Sequence, residues 1–284
     1  MRVLLTGGFG NVGRSTLAAL LAQGDDIRVL EADTPANRRN AALLGRGATV
    51  MFGDVRDPAA AREALVGREA VIHLAALIPP GADKAPDLAH SINVDGTARF
   101  LEAAASLASP PRFVLASSIA AYGDRLESPW IRTQDPLDSN QEDGYGRSKV
   151  EAEALVKSSG LPWSILRLSY IVWRKKLKRD PLMFHMPPST RIEVCHTEDT
   201  GRAFAAAARL PGAEGRIFDI GGGEACRTTF RAYLDRMFSL FGLGSSAFLP
   251  DEAFASKGFH CGWYADSDQA EEVVASQVRP VHPG

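Results

Sequence analysis

Short apolar runs alternate with stretches of helical period from the first residues of the chain onward. The runs at 3–6, 27–31, 49–53, 70–74, 112–117, 163–168 and 216–220 read as strands. Between them the period predicts helices over 12–23, 58–65, 87–107 and 144–157, with a less regular one over 36–44. Two further helices are expected over 197–210 and 229–241. Strands that are apolar throughout, each followed by a helix, imply a parallel sheet covered on both faces. The fold class is therefore α/β, a doubly wound parallel sheet.

That rhythm breaks twice. Residues 170–191 are rich in Pro and basic side chains, and 226–284 show no second sheet pattern. The expected organisation is a main domain of 1–169 plus about 195–224, and a small C-terminal lobe of 170–194 plus 225–284. No internal repeat or low-complexity segment interrupts either.

Composition narrows the function classes. A net charge of −2 over 284 residues, 45% of them hydrophobic and 23% charged, gives no electrostatic reason to expect nucleic acid or an anionic membrane as partner. The apolar start is too short for a signal peptide, and no run approaches the ~20 apolar residues of a membrane span. Cys195, Cys226 and Cys261 are odd in number and far apart, which suggests a reducing, cytoplasmic location. The six histidines have no metal-ligand spacing, so no metal site is expected.

Thr6-Gly7-Gly8-Phe9-Gly10-Asn11-Val12-Gly13 lies between the first strand and the first helix. Gly7 permits a tight turn, Gly10 lets backbone approach a pyrophosphate, and Gly13 lets helix and strand pack closely. The helix N-terminus then offers free N–H groups to phosphate, with Phe9, Asn11 and Val12 beside them. This is a Rossmann-type dinucleotide site. Glu31 ends the second strand where a carboxylate binds ribose hydroxyls and repels a 2′-phosphate, which favours NAD over NADP; Arg38 and Arg39 read as a solvated helix face. Asp54 and Val55 are placed to bracket the adenine, with an N-cap or turn role as the alternative for Asp54.

Tyr145 and Lys149 are one helical turn apart, so the ammonium can reach the phenol and lower its pKa from about 10. Such a pair transfers a proton in alcohol/ketone interconversion.

With the glycine loop stand Gly53-Asp54-Val55-Arg56-Asp57, His73-Leu74-Ala75-Ala76, Asn93-Val94-Asp95-Gly96-Thr97, Ser117-Ser118-Ile119-Ala120-Ala121-Tyr122-Gly123, His196-Thr197-Glu198-Asp199 and Gly221-Gly222-Gly223. From Arg2 to about Gly223 the chain resembles the extended short-chain dehydrogenase/reductases of the NAD-dependent epimerase/dehydratase family. The resemblance implies that Tyr145 is the catalytic acid/base, Lys149 binds the nicotinamide ribose, and Ser118 holds the substrate oxygen, with Ser117 as its neighbour. It implies that Asn93 supports Lys149 through water, and that Leu74, Ala75 and Ala76 line the cofactor. It also implies a homodimer through the Ala-rich faces of the 87–107 and 144–157 helices.

No acidic residue stands between Ser118 and Tyr122, unlike in the family's dehydratases, so redox or epimerisation is expected over elimination. The short segment from Arg167 to His196 and the short lobe suggest a substrate smaller than a nucleotide sugar. Ile78 would form an apolar pocket wall with Pro79, Pro80 and Trp130, and the basic run at 174–179 could meet a substrate anion. The expected activity is oxidoreduction of a secondary alcohol or ketone on a small sugar-, polyol- or ring-like molecule. An epimerase with tightly bound NAD and a non-catalytic NAD(P)-sensing protein are the alternatives.

Overall fold

The computed structural model describes residues 1–45, 47–173, 184–257 and 259–274. The basic run at 174–179 lies outside these described residues. In chain order the first half comprises β1 (Arg2–Thr6), α1 (Asn11–Ala22), β2 (Asp26–Glu31), α2 (Pro35–Leu44), β3 (Thr49–Phe52), α3 (Pro58–Leu65), β4 (Ala70–His73), α4 (Gly81–Lys84), α5 (Pro86–His90), α6 (Gly96–Ala105), β5 (Arg112–Ser118) and β6 (Trp130–Ile131). Then follow α7 (Gly144–Ser158), β7 (Trp163–Leu168), β8 (Tyr170–Val172), β9 (Arg191–His196), α8 (Thr197–Ala207), β10 (Arg216–Ile220), β11 (Arg227–Thr229), α9 (Phe230–Leu240), β12 (Trp263–Tyr264) and α10 (Asp268–Val274).

The seven strands expected from the apolar runs form one sheet, ordered β10-β7-β5-β4-β1-β2-β3, with every pair parallel. Leu17, Leu20, Phe204 and Phe218 pack with Val3, Leu5 and Val29 on one face. Leu65, Phe100 and Val156 pack with Leu4, Val71 and Leu115 on the other. Strand order reverses between β1 and β4, and the loops after these two strands meet at the carboxyl edge. An open α/β sheet places its ligand crevice there.

Local chemistry starts the helices where the period predicts. Thr34 caps α2 through Asn37 N–H, and Asp57 caps α3 through Ala59 N–H, each ahead of a proline in the first turn. The helix expected over 87–107 is instead α5 and α6 joined by a π-helical turn, Ser91–Asp95. Such turns cluster at functional sites, and this one carries Asn93.

The 226–284 stretch does contain strands. β11 pairs antiparallel with β9, which pairs parallel with β8, and β12 pairs with β6. Strands of two or three residues are too short to show an alternating pattern, which is why the sequence hid them. Ile192, Phe230, Leu234 and Phe254 form a separate apolar cluster beside this small sheet. Ala270 and Val274 of α10, by contrast, pack into the main core with Ala205 and Phe218.

Candidate active site

At the carboxyl edge, backbone close approach dictates the glycine loop. Gly7 has φ +71, and a Cβ there would lie 2.8 Å from the Ala75 nitrogen. A Cβ on Gly13 would lie 2.1 Å from the Gly7 carbonyl oxygen. These contacts press the start of α1 against β1 and the β4 loop, where Leu74 N–H donates to Thr6 O and Ala75 N–H to Thr6 Oγ1, both at 3.2 Å. Gly10 is the N-cap of α1 and offers no side-chain cap, and the first turn holds no acidic residue. The N–H groups of Asn11, Val12 and Gly13 thus begin a helix whose positive end is not neutralised locally, a cradle suited to a pyrophosphate.

Glu31 is tied into this loop. Its Oε1 accepts the Phe9 N–H at 2.6 Å and its Oε2 accepts Asn37 Nδ2 at 3.2 Å. Burial pushes the carboxyl up, while the Phe9 bond and the Arg14 charge pull it down. Asn37 escaped the sequence reading because only the folded turn brings it back to Glu31. Arg38 makes a two-point ion pair with Asp33, both contacts 2.6 Å, and lies over the Phe52 ring. Asp54 is held by Arg56, with Nε and the backbone N–H both 2.9 Å from Oδ1. The turn role therefore describes Asp54 in this structure better than a free contact to adenine. Val55 is partly buried against the α3/α6 layer and packs beside Gly96.

The serine and tyrosine meet because α7 starts against the turn that follows β5. A Cβ on Gly146 would lie 2.8 Å from the Ala120 carbonyl oxygen, so only glycine lets the helix come this close. Ser118, which accepts the Ala120 N–H at 3.2 Å, lies beside the Tyr145 phenol, close enough to influence its pKa. Burial pushes that phenol up to about 12, the Ser118 hydroxyl opposes the shift, and the Asp143 charge adds to it. Lys149 Nζ donates to the Ala116 carbonyl at 2.8 Å and stands 5.6 Å from the Tyr145 ring centre. Burial pulls the ammonium down to about 8, against the Glu153 charge. The expectation that Lys149 lowers the tyrosine pKa is thus not met in this arrangement. Desolvation dominates the phenol, and the ammonium is turned to a backbone carbonyl.

Asn93 acts at one remove. Its Oδ1 accepts the Leu77 N–H at 2.8 Å, and its Nδ2 donates to Leu77 O at 3.0 Å and to Ser148 Oγ at 3.1 Å. Ser148 in turn donates to the Tyr145 carbonyl at 2.7 Å. Asn93 therefore joins the β4 loop to α7 through Ser148, a residue the sequence did not single out. Ile78 follows Leu77 and is 56% exposed.

Ser117 is turned into the buried interior. Its hydroxyl donates to Glu153 Oε1 at 2.6 Å, in a buried network where Glu153 binds Arg167 through both oxygens and Arg167 reaches Tyr122, itself bonded to Asp219. Successive strand residues point to opposite faces, so only one of the two serines can meet the phenol. His73 is buried between Phe100 and Phe113, with Nδ1 2.9 Å from Thr6 Oγ1, and burial pulls it down to about 3. Among the described residues no cluster of metal-binding side chains occurs, and no helix is long and apolar enough to cross a membrane.

A family model described as the NAD dependent epimerase/dehydratase family matches residues 3–221. A UDP-glucose 4-epimerase of Erwinia amylovora is 34% identical over 164 residues, covering 55% of this chain and 48% of that protein. A D-erythronate dehydrogenase of Cupriavidus necator is 32% identical over 168 residues, with 55% and 49% covered. The chain spans about half the length of these curated relatives. The solved structure of a short-chain dehydrogenase/reductase superfamily protein from Agrobacterium tumefaciens, with bound NAD, superposes with a TM-score of 0.80 at 25% identity. That match covers 98% of this chain and 93% of the other.

Proposed function

The chain belongs to the NAD-dependent epimerase/dehydratase family, and from that premise we propose that it is an NAD-dependent oxidoreductase interconverting a secondary alcohol and its ketone. The observation that carries this reading is the Tyr145 phenol set beside Ser118 and a buried Lys149, at the same sheet edge as the glycine cradle.

The cradle fits NAD. The uncapped α1 N-terminus would hold the pyrophosphate, Glu31 would bind the ribose hydroxyls, and Leu74, Ala75 and Ala76 would border the dinucleotide. Bound NAD supplies a hydride acceptor, or in reduced form a donor. The protein's part is to hold and move the proton. Ser118 Oγ would orient the alcohol oxygen, and Tyr145 Oη would take its hydroxyl proton, with bound NAD supplying the hydride acceptor. Lys149 places a positive charge beneath the pair and, with donors beyond the one on Ala116, can hold a ribose hydroxyl. Reduction runs the same steps backward. Glu31 supports NAD over NADP, since its carboxylate repels a 2′-phosphate, and Arg38 is already paired with Asp33.

The four-carbon sugar acid in the name of the Cupriavidus relative makes small sugar acids and polyols the first substrates to try. Epimerisation is the second reading, favoured by the Erwinia relative. Net formation of reduced nicotinamide separates the two, because an epimerase recycles its cofactor. The assay is NAD with a panel of sugar acids, polyols and UDP-glucose. Absence of both absorbance change and epimer formation would leave the non-catalytic reading. A homodimer through α6 and α7 is also proposed: Ala105 and Ala154 are exposed there, although Ala104 and Ala152 pack into the chain's own core.

A further inference from the structure

The helix that carries Tyr145 starts at a residue held from the C-terminal lobe. Asp143 caps α7 through Oδ1, which accepts the Gly146 N–H at 2.8 Å. Its other oxygen, Oδ2, accepts no hydrogen bond of good geometry among the described residues but lies 2.6 Å from His260 Nδ1, an ion pair when the ring is protonated. The two side chains are only 12% and 13% exposed. Burial pushes the Asp143 carboxyl up but is outweighed by His260 and the Gly146 and Tyr145 N–H groups, which hold it below the usual range.

His260 lies just before a paired strand. Three residues later β12 begins, where Trp263 N–H donates to Pro129 O and Ala265 N–H to Ile131 O, both at 2.7 Å. A Cβ on Gly262 would lie 2.6 Å from Pro129 O, so glycine alone permits this approach. Tyr264 adds a bond from its hydroxyl to Arg167 O at 3.2 Å and one from its N–H to Glu193 at 3.0 Å. The β6 segment that receives β12 is the continuation of the chain after Ser118.

Tyr145 is placed where such a hold matters. It lies in the first turn of α7, whose N–H groups have no partner within the helix. Gly144 and Gly146 flank it, so the backbone on either side has the widest conformational freedom of any residue. The cap, together with the packing of Gly146 on Ala120, sets where this turn sits.

We propose that His260 is a positioning residue for Tyr145: it fixes the Asp143 carboxylate that starts α7 and so sets the phenol against Ser118. This rests on the reading of Tyr145 as the proton-transfer group. Seating of the C-terminal lobe and geometry at the reacting oxygen become one event.

The test compares the full chain with His260→Ala, with His260→Asn, whose Nδ2 can stand near the Nδ1 position, and with His90→Ala as an exposed imidazole control. Amide hydrogen exchange is followed at 144–147 and across β1, β4 and β5, and turnover is measured with NAD and the alcohol panel. His260→Ala should speed exchange at 144–147 by about tenfold while the strand amides keep their rates. Its kcat should fall by roughly tenfold with KM for NAD within about twofold, as expected for a displaced catalytic group. His260→Asn should restore both, and His90→Ala should change neither. Unchanged exchange at 144–147, or equal losses in the Ala and Asn variants with faster strand amides, would overturn the inference. So would a wild-type kcat in His260→Ala. Selective loosening alongside a wild type that turns over no alcohol would instead uphold the placement and count against the oxidoreductase reading.

Discussion

Lys149 points past the residue it accompanies: its Nζ donates to the Ala116 carbonyl at 2.8 Å and stands 5.6 Å from the Tyr145 ring centre. The charge is buried, and this has a cost in stability that depends on pH. From the ordinary 10.5 the pKa falls to about 8, chiefly through burial. Between those values the unfolded chain holds a proton that the folded one lacks, so raising the pH there stabilises the fold. Below about 8 both states are protonated and the penalty is constant. Lys149→Met should therefore be more stable than wild type at pH 7, and the gain should shrink as pH rises toward 10.5. Urea denaturation across that range measures it, and a pH-independent difference would contradict it.

The phenol titrates the other way. With Tyr145 pushed up to about 12 by burial, almost all of it is protonated at neutral pH. Alcohol oxidation needs the phenolate and should accelerate as pH rises, whereas ketone reduction needs the phenol and should stay nearly flat. Initial rates in both directions from pH 6 to 10 test this. An oxidation rate independent of pH would argue against Tyr145 as the base.

Gly13→Ala puts a methyl where the Gly7 carbonyl oxygen already lies, 2.1 Å away. Backbone cannot yield as a flexible side chain can, so the cost should be about 1–3 kcal/mol of stability. The larger effect should be on the cofactor. NAD at ~100 times its Kd adds about 2.7 kcal/mol to the native state, and that thermal shift should vanish in the variant. In the wild type NADP should give the smaller shift, because Glu31 faces the added phosphate. An equal or larger shift with NADP would reverse the assignment.

Asp219 offers a separate pH signature. Burial raises its pKa from 3.8 to about 8, against the Arg167 charge and the Tyr122 hydrogen bond. A raised carboxyl stabilises the fold fully below its unfolded pKa and loses that contribution as pH climbs through the folded value. Asp219→Asn keeps an acceptor for Tyr122 and cannot ionise. Relative to wild type it should gain stability steadily from about pH 4 to 8. A constant difference over that range, measured by thermal unfolding, would show that Asp219 ionises normally.

The sequence was most legible where one strand or one helix suffices. The seven apolar runs became the seven sheet strands, and the glycine loop sits at the crossing its spacing required. Tyr145, Lys149 and Ser118 converge because α7 packs on the turn after β5, which Gly146 reveals only in the folded chain. Illegible were contacts made between distant segments. Ser117 and Ser118 are adjacent, yet the pleat gives one to Glu153 and the other to Tyr145. Asn93 was read as a support for Lys149 through water, and its direct bond to Ser148 had no signal in the sequence. The pairing of β12 with β6 rests on two residues from each, too few to leave a pattern, and it carries His260 to Asp143.

The most direct test of the account is the absorbance of reduced nicotinamide during incubation of the purified chain with NAD and the sugar-acid and polyol panel, alongside Tyr145→Phe. The account predicts accumulation with at least one secondary alcohol, and a fall of about 10²–10⁴-fold in the variant with its NAD-induced thermal shift intact. Equal rates in the two proteins, or NAD binding with no turnover of any alcohol and no epimer formed, would contradict it.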